Sequence, residues 1–157
     1  MSNYENLLIE CEKLGINVVE LDFGTIKPCG QCKGKNIYIN ENCSEKQKYC
    51  ILAEELGHYN LTVGNILNQN KIENRKQELK ARRWGHKHIV SLEGIIEAFE
   101  NNCLNQFEMA EYLGVSDEYF SEAIEDYKKQ YGIYCTLDKY CIVLEPRLGI
   151  YKDFEYS

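Results

Sequence analysis

No apolar run in this 157-residue chain approaches the roughly 20 residues a membrane-spanning helix needs, which excludes a helical membrane protein. The first residues, Met1-Ser2-Asn3-Tyr4-Glu5-Asn6, lack the basic-then-apolar pattern of an export signal, so a cytoplasmic location is expected. Positive charge is in deficit. A net charge of −7 argues against broad phosphate binding, because nucleic-acid affinity rests largely on Lys and Arg neutralising phosphates, and no direct nucleic-acid contact is expected. No internal repeat or low-complexity segment is evident. A second close cysteine pair is also missing. Of eight cysteines, only Cys29-Gly30-Gln31-Cys32 has redox or zinc-knuckle spacing. A structural zinc knuckle needs another ligand pair at defined spacing, and no clear helix start follows Cys32, so incidental loop cysteines are the expectation.

What is present is an ordinary globular composition, 44% hydrophobic and 27% charged, at a length suited to one compact domain with a small appendage. Residues 3–14 place Leu7, Leu8, Cys11 and Leu14 on one stripe, an amphipathic helix that Gly15 is placed to end. Residues 16–23 read as a strand, Gly24 to Gly34 as a loop, and Asn36-Ile37-Tyr38-Ile39-Asn40 as a second strand. Asn42 or Ser44 could cap a following helix that ends around Asn60. A polar stretch from Asn65 to Gln77 precedes a longer helix starting near Lys76. On it, Glu78, Ala81 and Gly85 share a face, the small residues permitting close approach to another backbone. A Leu92-Ile95-Ile96-Phe99 stripe marks a core helix from Ser91 to Asn101. Residues 106–131 resemble a helix-turn-helix, although Asp117, Glu118, Glu122, Glu125 and Asp126 would repel phosphate, which favours a packing role. Residues 133–136 and 140–144 form a hairpin pattern, after which Pro146 and Gly149 break regular structure.

The chemistry centres on Cys50-Ile51-Leu52-Ala53-Glu54-Glu55-Leu56-Gly57-His58-Tyr59-Asn60. At 3.6 residues per turn, Glu54 and His58 leave the same helix face and can close on one ion, while Glu55 reaches a water from the side. Charged groups in an apolar segment need partners. The plain alternative pairs them with Arg82, Arg83 or neighbouring lysines. A catalytic zinc site wants a third protein ligand, for which Glu78 is the first candidate and His86 and His88 the others. Zinc is the expected metal, with manganese or magnesium more competitive as carboxylates accumulate.

These residues, with Glu78-Leu79-Lys80-Ala81-Arg82-Arg83-Trp84-Gly85, resemble the ImmA/IrrE family of metallopeptidases of bacteria and their mobile elements, in its phage-associated branch. Glu54 stands where that family usually has the first His of His-Glu-x-x-His. The resemblance implies an α+β, zincin-like fold with a small sheet packed on the metal-binding helix, then a helix-turn-helix-like segment and a C-terminal β-hairpin. Residues 1–102 would form the peptidase core and 103–157 the remainder. It implies Glu55 as general base, His58 as metal ligand, Glu54 in the first-ligand position and a protein substrate, a helix-turn-helix repressor of the element. The family's Glu-Ala-x-x-Phe-Ala register puts Lys80 at the third-ligand position, so Glu78 serves if the local register differs. A runner-up reading keeps the scaffold as a protein-binding module with weakened catalysis.

Overall fold

A computed structural model describes residues 2–25, 29–62 and 71–152. Two compact units emerge, residues 1–88 and 89–157, so the helix after Ser91 groups with the second.

In the first unit, α1 (Asn3–Lys13) starts at a reciprocal cap. Ser2 Oγ accepts from the Glu5 N–H while the Glu5 carboxylate accepts from the Ser2 N–H, which satisfies donors that a helix end leaves open. Tyr4, Leu7 and Cys11 are buried, but Leu14 is exposed, because the helix ends before it and Gly15 turns the chain at φ +77°. Three strands follow: β1 (Asn17–Leu21), β2 (Gly30–Lys33) and β3 (Asn36–Asn40), in the order β1-β3-β2. β1 runs parallel to β3, with Val18 opposite Ile37, whereas β2 is antiparallel, with Cys32 opposite Ile37. The expected loop from Gly24 to Gly34 therefore contains a strand. Its residues show no apolar alternation, and pairing with β3 supplies the order that their propensity does not. Ile37 and Ile39 of the central strand are fully buried, and the sheet packs on α2 (Glu45–Thr62) through β2 and β3. Ser44, not Asn42, caps α2: its Oγ accepts from the Gln47 N–H at 3.2 Å, and its own N–H donates to Gln47 Oε1 at 2.9 Å. α3 (Lys71–Ile89) begins earlier than its polar first turns suggest. Residues 65–70 of the expected polar stretch lie outside the described residues.

The second unit joins α4 (Leu92–Glu100), α5 (Gln106–Leu113) and α6 (Asp117–Tyr131) to β4 (Tyr134–Leu137), β5 (Tyr140–Val143) and β6 (Gly149–Lys152). Ser91, Asn105 and Ser116 cap the three helices, and Gly114 closes α5 in the left-handed region at φ +78°. Ile95, Ala98, Phe120, Ala123, Ile142 and Leu144 are fully buried, and the Tyr127 hydroxyl donates to the Val90 carbonyl at 2.8 Å. The hairpin gains a third antiparallel strand, with Ile150 opposite Ile142. Regular structure thus resumes at Gly149 instead of ending there.

The architecture is α+β, a small sheet on the helix that carries Glu54, Glu55 and His58, followed by a helix-turn-helix-like pair and a small C-terminal sheet. Among the described residues, no helix is long and apolar enough to cross a membrane.

Candidate metal centre

α2 and α3 meet at Gly57. A Cβ built on Gly57 would fall on the Ala81 carbonyl oxygen, and Ala81 itself is fully buried, so the two backbones touch. Only a residue without a side chain permits this on α2, and only a small one on α3. Around that contact, His58 faces Glu78 and Glu54 faces Arg82. Numbers fall along α3 as they rise along α2, so the helices run antiparallel and each pairing repeats at helical spacing.

Glu54 and His58, four residues apart on α2, and Glu78 on α3 each offer a ligand atom, and these atoms lie within 4.8 Å of one another. The His58 Nε2 to Glu78 Oε2 distance is 3.1 Å. Two ligands of a tetrahedral zinc with bonds of about 2.0 Å stand roughly 3.3 Å apart, so one imidazole and two carboxylates at this spacing fit a small divalent ion. The Glu78 side chain is 62% exposed and that of His58 19% exposed, so the cluster opens to solvent on the α3 side. Lys80, two residues further along and about 200° around the helix axis, is exposed, and the local register brings Glu78 to His58. The other two histidines go elsewhere. His86 is buried at 2% exposure, while His88 stacks on Trp84 at 4.6 Å and places Nε2 2.8 Å from Glu10 Oε2.

Glu55 lies between the sheet and this cluster. Its Cγ packs over Gly30 of β2, where an added Cβ would come to 3.3 Å from it and would also overlap Ile51. Burial pushes the Glu55 carboxyl up to about 7 from an ordinary 4.5, and the negative charges of Glu54 and then Glu78 add to the rise. A cation between Glu54 and Glu78 would cancel those two charges, leaving burial as the remaining cause. Cys32, on the same strand, is pushed up to about 11 by burial and then by the charge of Glu55, which keeps it an unreactive thiol. Arg82 Nη2 sits 3.9 Å from Glu54 Oε1, long for an ion pair and half-exposed. It is a loose contact, unlike the close pairing that would close the cluster to an ion.

Sequence reasoning did not reach the Gly30 seat beneath Glu55. The signal available was a glycine in a four-residue stretch without apolar alternation, which can mark close backbone approach in a strand.

A family model described as an IrrE N-terminal-like domain, of a peptidase family, matches residues 11–125, a span that includes Glu54, Glu55, His58 and Glu78. No curated protein matches the chain.

Proposed function

The chain belongs to the peptidase family of the IrrE N-terminal-like domain, and from that premise we propose that it is a regulatory, metal-dependent endopeptidase. Its substrate on this reading is a helix-turn-helix repressor of a phage or mobile element, met in the cytoplasm. The observation that carries the reading is the convergence of Glu54, His58 and Glu78 within 4.8 Å, with Glu55 seated beside them. Glu54, His58 and Glu78 would hold the ion, zinc first, with manganese or magnesium favoured more than at a histidine-rich site. Such an ion supplies Lewis acidity, polarising the scissile carbonyl and making water acidic enough to attack near neutral pH.

The chain's own residues do the rest. The Glu55 carboxylate takes the proton from the attacking water and returns it to the departing amine, so one group serves as base and then acid. Its seat against Gly30 limits its rotation and excludes solvent from one side, which holds it in reach of that proton. His58 offers Nε2 as a neutral donor and so must release any proton it shares with Glu78 before it can ligate.

The loose Arg82–Glu54 contact favours a second reading, a protein-binding module with weakened catalysis, because a guanidinium beside the first-ligand carboxylate competes for it. Metal content separates the two. Purified protein should carry about one tightly held ion per chain, as a single three-ligand site requires. Co-incubation with the repressor encoded beside the gene should give cleavage by wild type and none by Glu55→Gln. Repressor binding without metal or cleavage would establish the module instead, and equal cleavage by both proteins would remove Glu55 from the mechanism.

A further inference from the structure

Hydrolysis of a peptide bond builds negative charge on the carbonyl oxygen as its carbon becomes tetrahedral. A fixed donor aimed at that oxygen acts mainly in the transition state, where it raises the rate. The roles assigned above leave this task without a side chain. Glu54, His58 and Glu78 would all be engaged as ligands, and Glu55 handles the proton of the water. Lys80 lies about 200° around α3 from Glu78, and Asn60 donates its Nδ2 to the Leu56 carbonyl at 3.0 Å. Arg82 is placed differently. It follows Glu78 by four residues, so the two share a face of α3, and its Nη2 stands 3.9 Å from Glu54 Oε1.

That distance exceeds a hydrogen bond, so Glu54 attracts the guanidinium without fixing it. The Arg82 side chain is half-exposed on the α3 side, where the cluster opens to solvent, whereas Glu55 packs against the sheet. A carbonyl group arriving from solvent therefore meets the cluster with Glu55 toward the sheet and Arg82 toward the entrance. A cation bound by Glu54 cancels the charge that draws Arg82 there. The guanidinium, always charged near neutral pH and rich in N–H donors, then turns to another oxygen.

We propose that Arg82 is a catalytic residue, the donor that holds the developing oxyanion of the substrate carbonyl; the inference rests on the peptidase reading. The water oxygen bonds to the carbonyl carbon while one of its protons passes to Glu55. The electron pair of the C=O bond moves onto the oxygen, and Arg82 N–H groups donate to it there. As the C–N bond breaks, that pair returns to re-form C=O, and the proton on Glu55 goes to the leaving nitrogen. Arg82 gives up no proton at any stage. In the unloaded protein the same guanidinium faces Glu54, so Arg82 opposes loading of the ion and assists the reaction once the ion is in place. Removing it should therefore move metal affinity and turnover in opposite directions, which a merely structural role would not do.

The test compares zinc-loaded wild type, Arg82→Gln and Arg82→Lys on the repressor encoded beside the gene, with zinc content measured in each sample. In Arg82→Gln, kcat should fall about 10²–10³-fold with KM little changed, the scale of one lost oxyanion donor. Arg82→Lys should recover part of the loss, since it keeps the charge but not the fork of donors. A second measurement needs no turnover. Calorimetric binding of an N-phosphoryl dipeptide, whose tetrahedral phosphoryl group stands in for the oxyanion, should weaken about 10–100-fold in Arg82→Gln, as loss of a charged hydrogen bond implies. An undiminished kcat, a loss confined to KM, or unchanged affinity for the phosphoryl dipeptide would each overturn the role of Arg82 and leave the peptidase reading standing. A wild type that holds zinc and cleaves nothing would overturn that reading, and this inference with it.

Discussion

Replacing Gly57 with alanine tests the helix contact on which the cluster's geometry rests. In an isolated helix the change should stabilise, since alanine is favoured over glycine by about 1 kcal/mol in a helix interior. Here the new methyl would fall on the Ala81 carbonyl oxygen. That atom belongs to a backbone and cannot rotate away, so α2 and α3 must part. Overpacking of this kind costs about 1–3 kcal/mol, which at least offsets the propensity gain and leaves a net loss of up to about 2 kcal/mol. Trp84, the single tryptophan of the chain, lies on α3 and reports the event by fluorescence during urea unfolding. The midpoint should fall with little change in slope. Parting the helices also draws Glu78 away from His58, so divalent-metal affinity should drop about tenfold or more, as disturbed ligand orientation commonly does. Gly57→Val should exaggerate both effects. A variant that is more stable than wild type would show that the backbones do not touch. One that is destabilised with unchanged metal affinity would show that this contact does not position Glu78.

Glu55→Gln, in protein stripped of metal, should flatten the pH dependence of stability. The folded carboxyl titrates near 7 against an ordinary 4.5, so its contribution is fully present below about 4.5 and is lost as pH rises through 7, about 3 kcal/mol in all. Urea midpoints from pH 4 to 8 measure the difference, and parallel profiles for wild type and variant would contradict the burial of Glu55. Glu78→Ala should lower zinc affinity at least tenfold, roughly the scale of ligand-shell defects, with little change in stability because the side chain is largely exposed; chelator competition reads it. Arg82→Gln should tighten metal binding by up to about fivefold, the scale of a surface ion pair, and no gain in the same competition assay would show that Arg82 does not contend for Glu54. Ser91→Ala removes the acceptor of the Gly94 N–H at 2.9 Å and should destabilise the second unit by about 1 kcal/mol, measured by thermal unfolding.

Much of this protein is written in local pattern. The stripe Leu92-Ile95-Ile96-Phe99 and the caps Ser91 and Asn101 set α4 within its expected bounds, and the β-branched and aromatic run of residues 36–40 set β3. The spacing of Glu54 and His58 already placed both on one helix face, since 3.6-residue periodicity needs nothing beyond the helix itself. β2 escaped notice because Gly30-Gln31-Cys32-Lys33 has no apolar alternation, and its order comes from a neighbouring strand.

The choices made across elements were the work of the tertiary structure. Glu78, Lys80, His86 and His88 all lie on α3, and local spacing ranks them poorly. The Gly57–Ala81 contact sets how α3 slides against α2, and it is this register that brings Glu78 to His58 and leaves His88 to Glu10 and Trp84. The cysteines follow the same logic. Neighbours in sequence, Cys29 and Cys32, are held apart by an extended strand, while the backbones of Cys29 and Cys43, fourteen positions apart, both hydrogen-bond to the buried Asn40. Sequence alone determined which side chains each helix or strand presents, because that follows from its own geometry. Which of them meet depended on packing between segments remote in the chain, and that was decided only when backbones came into contact.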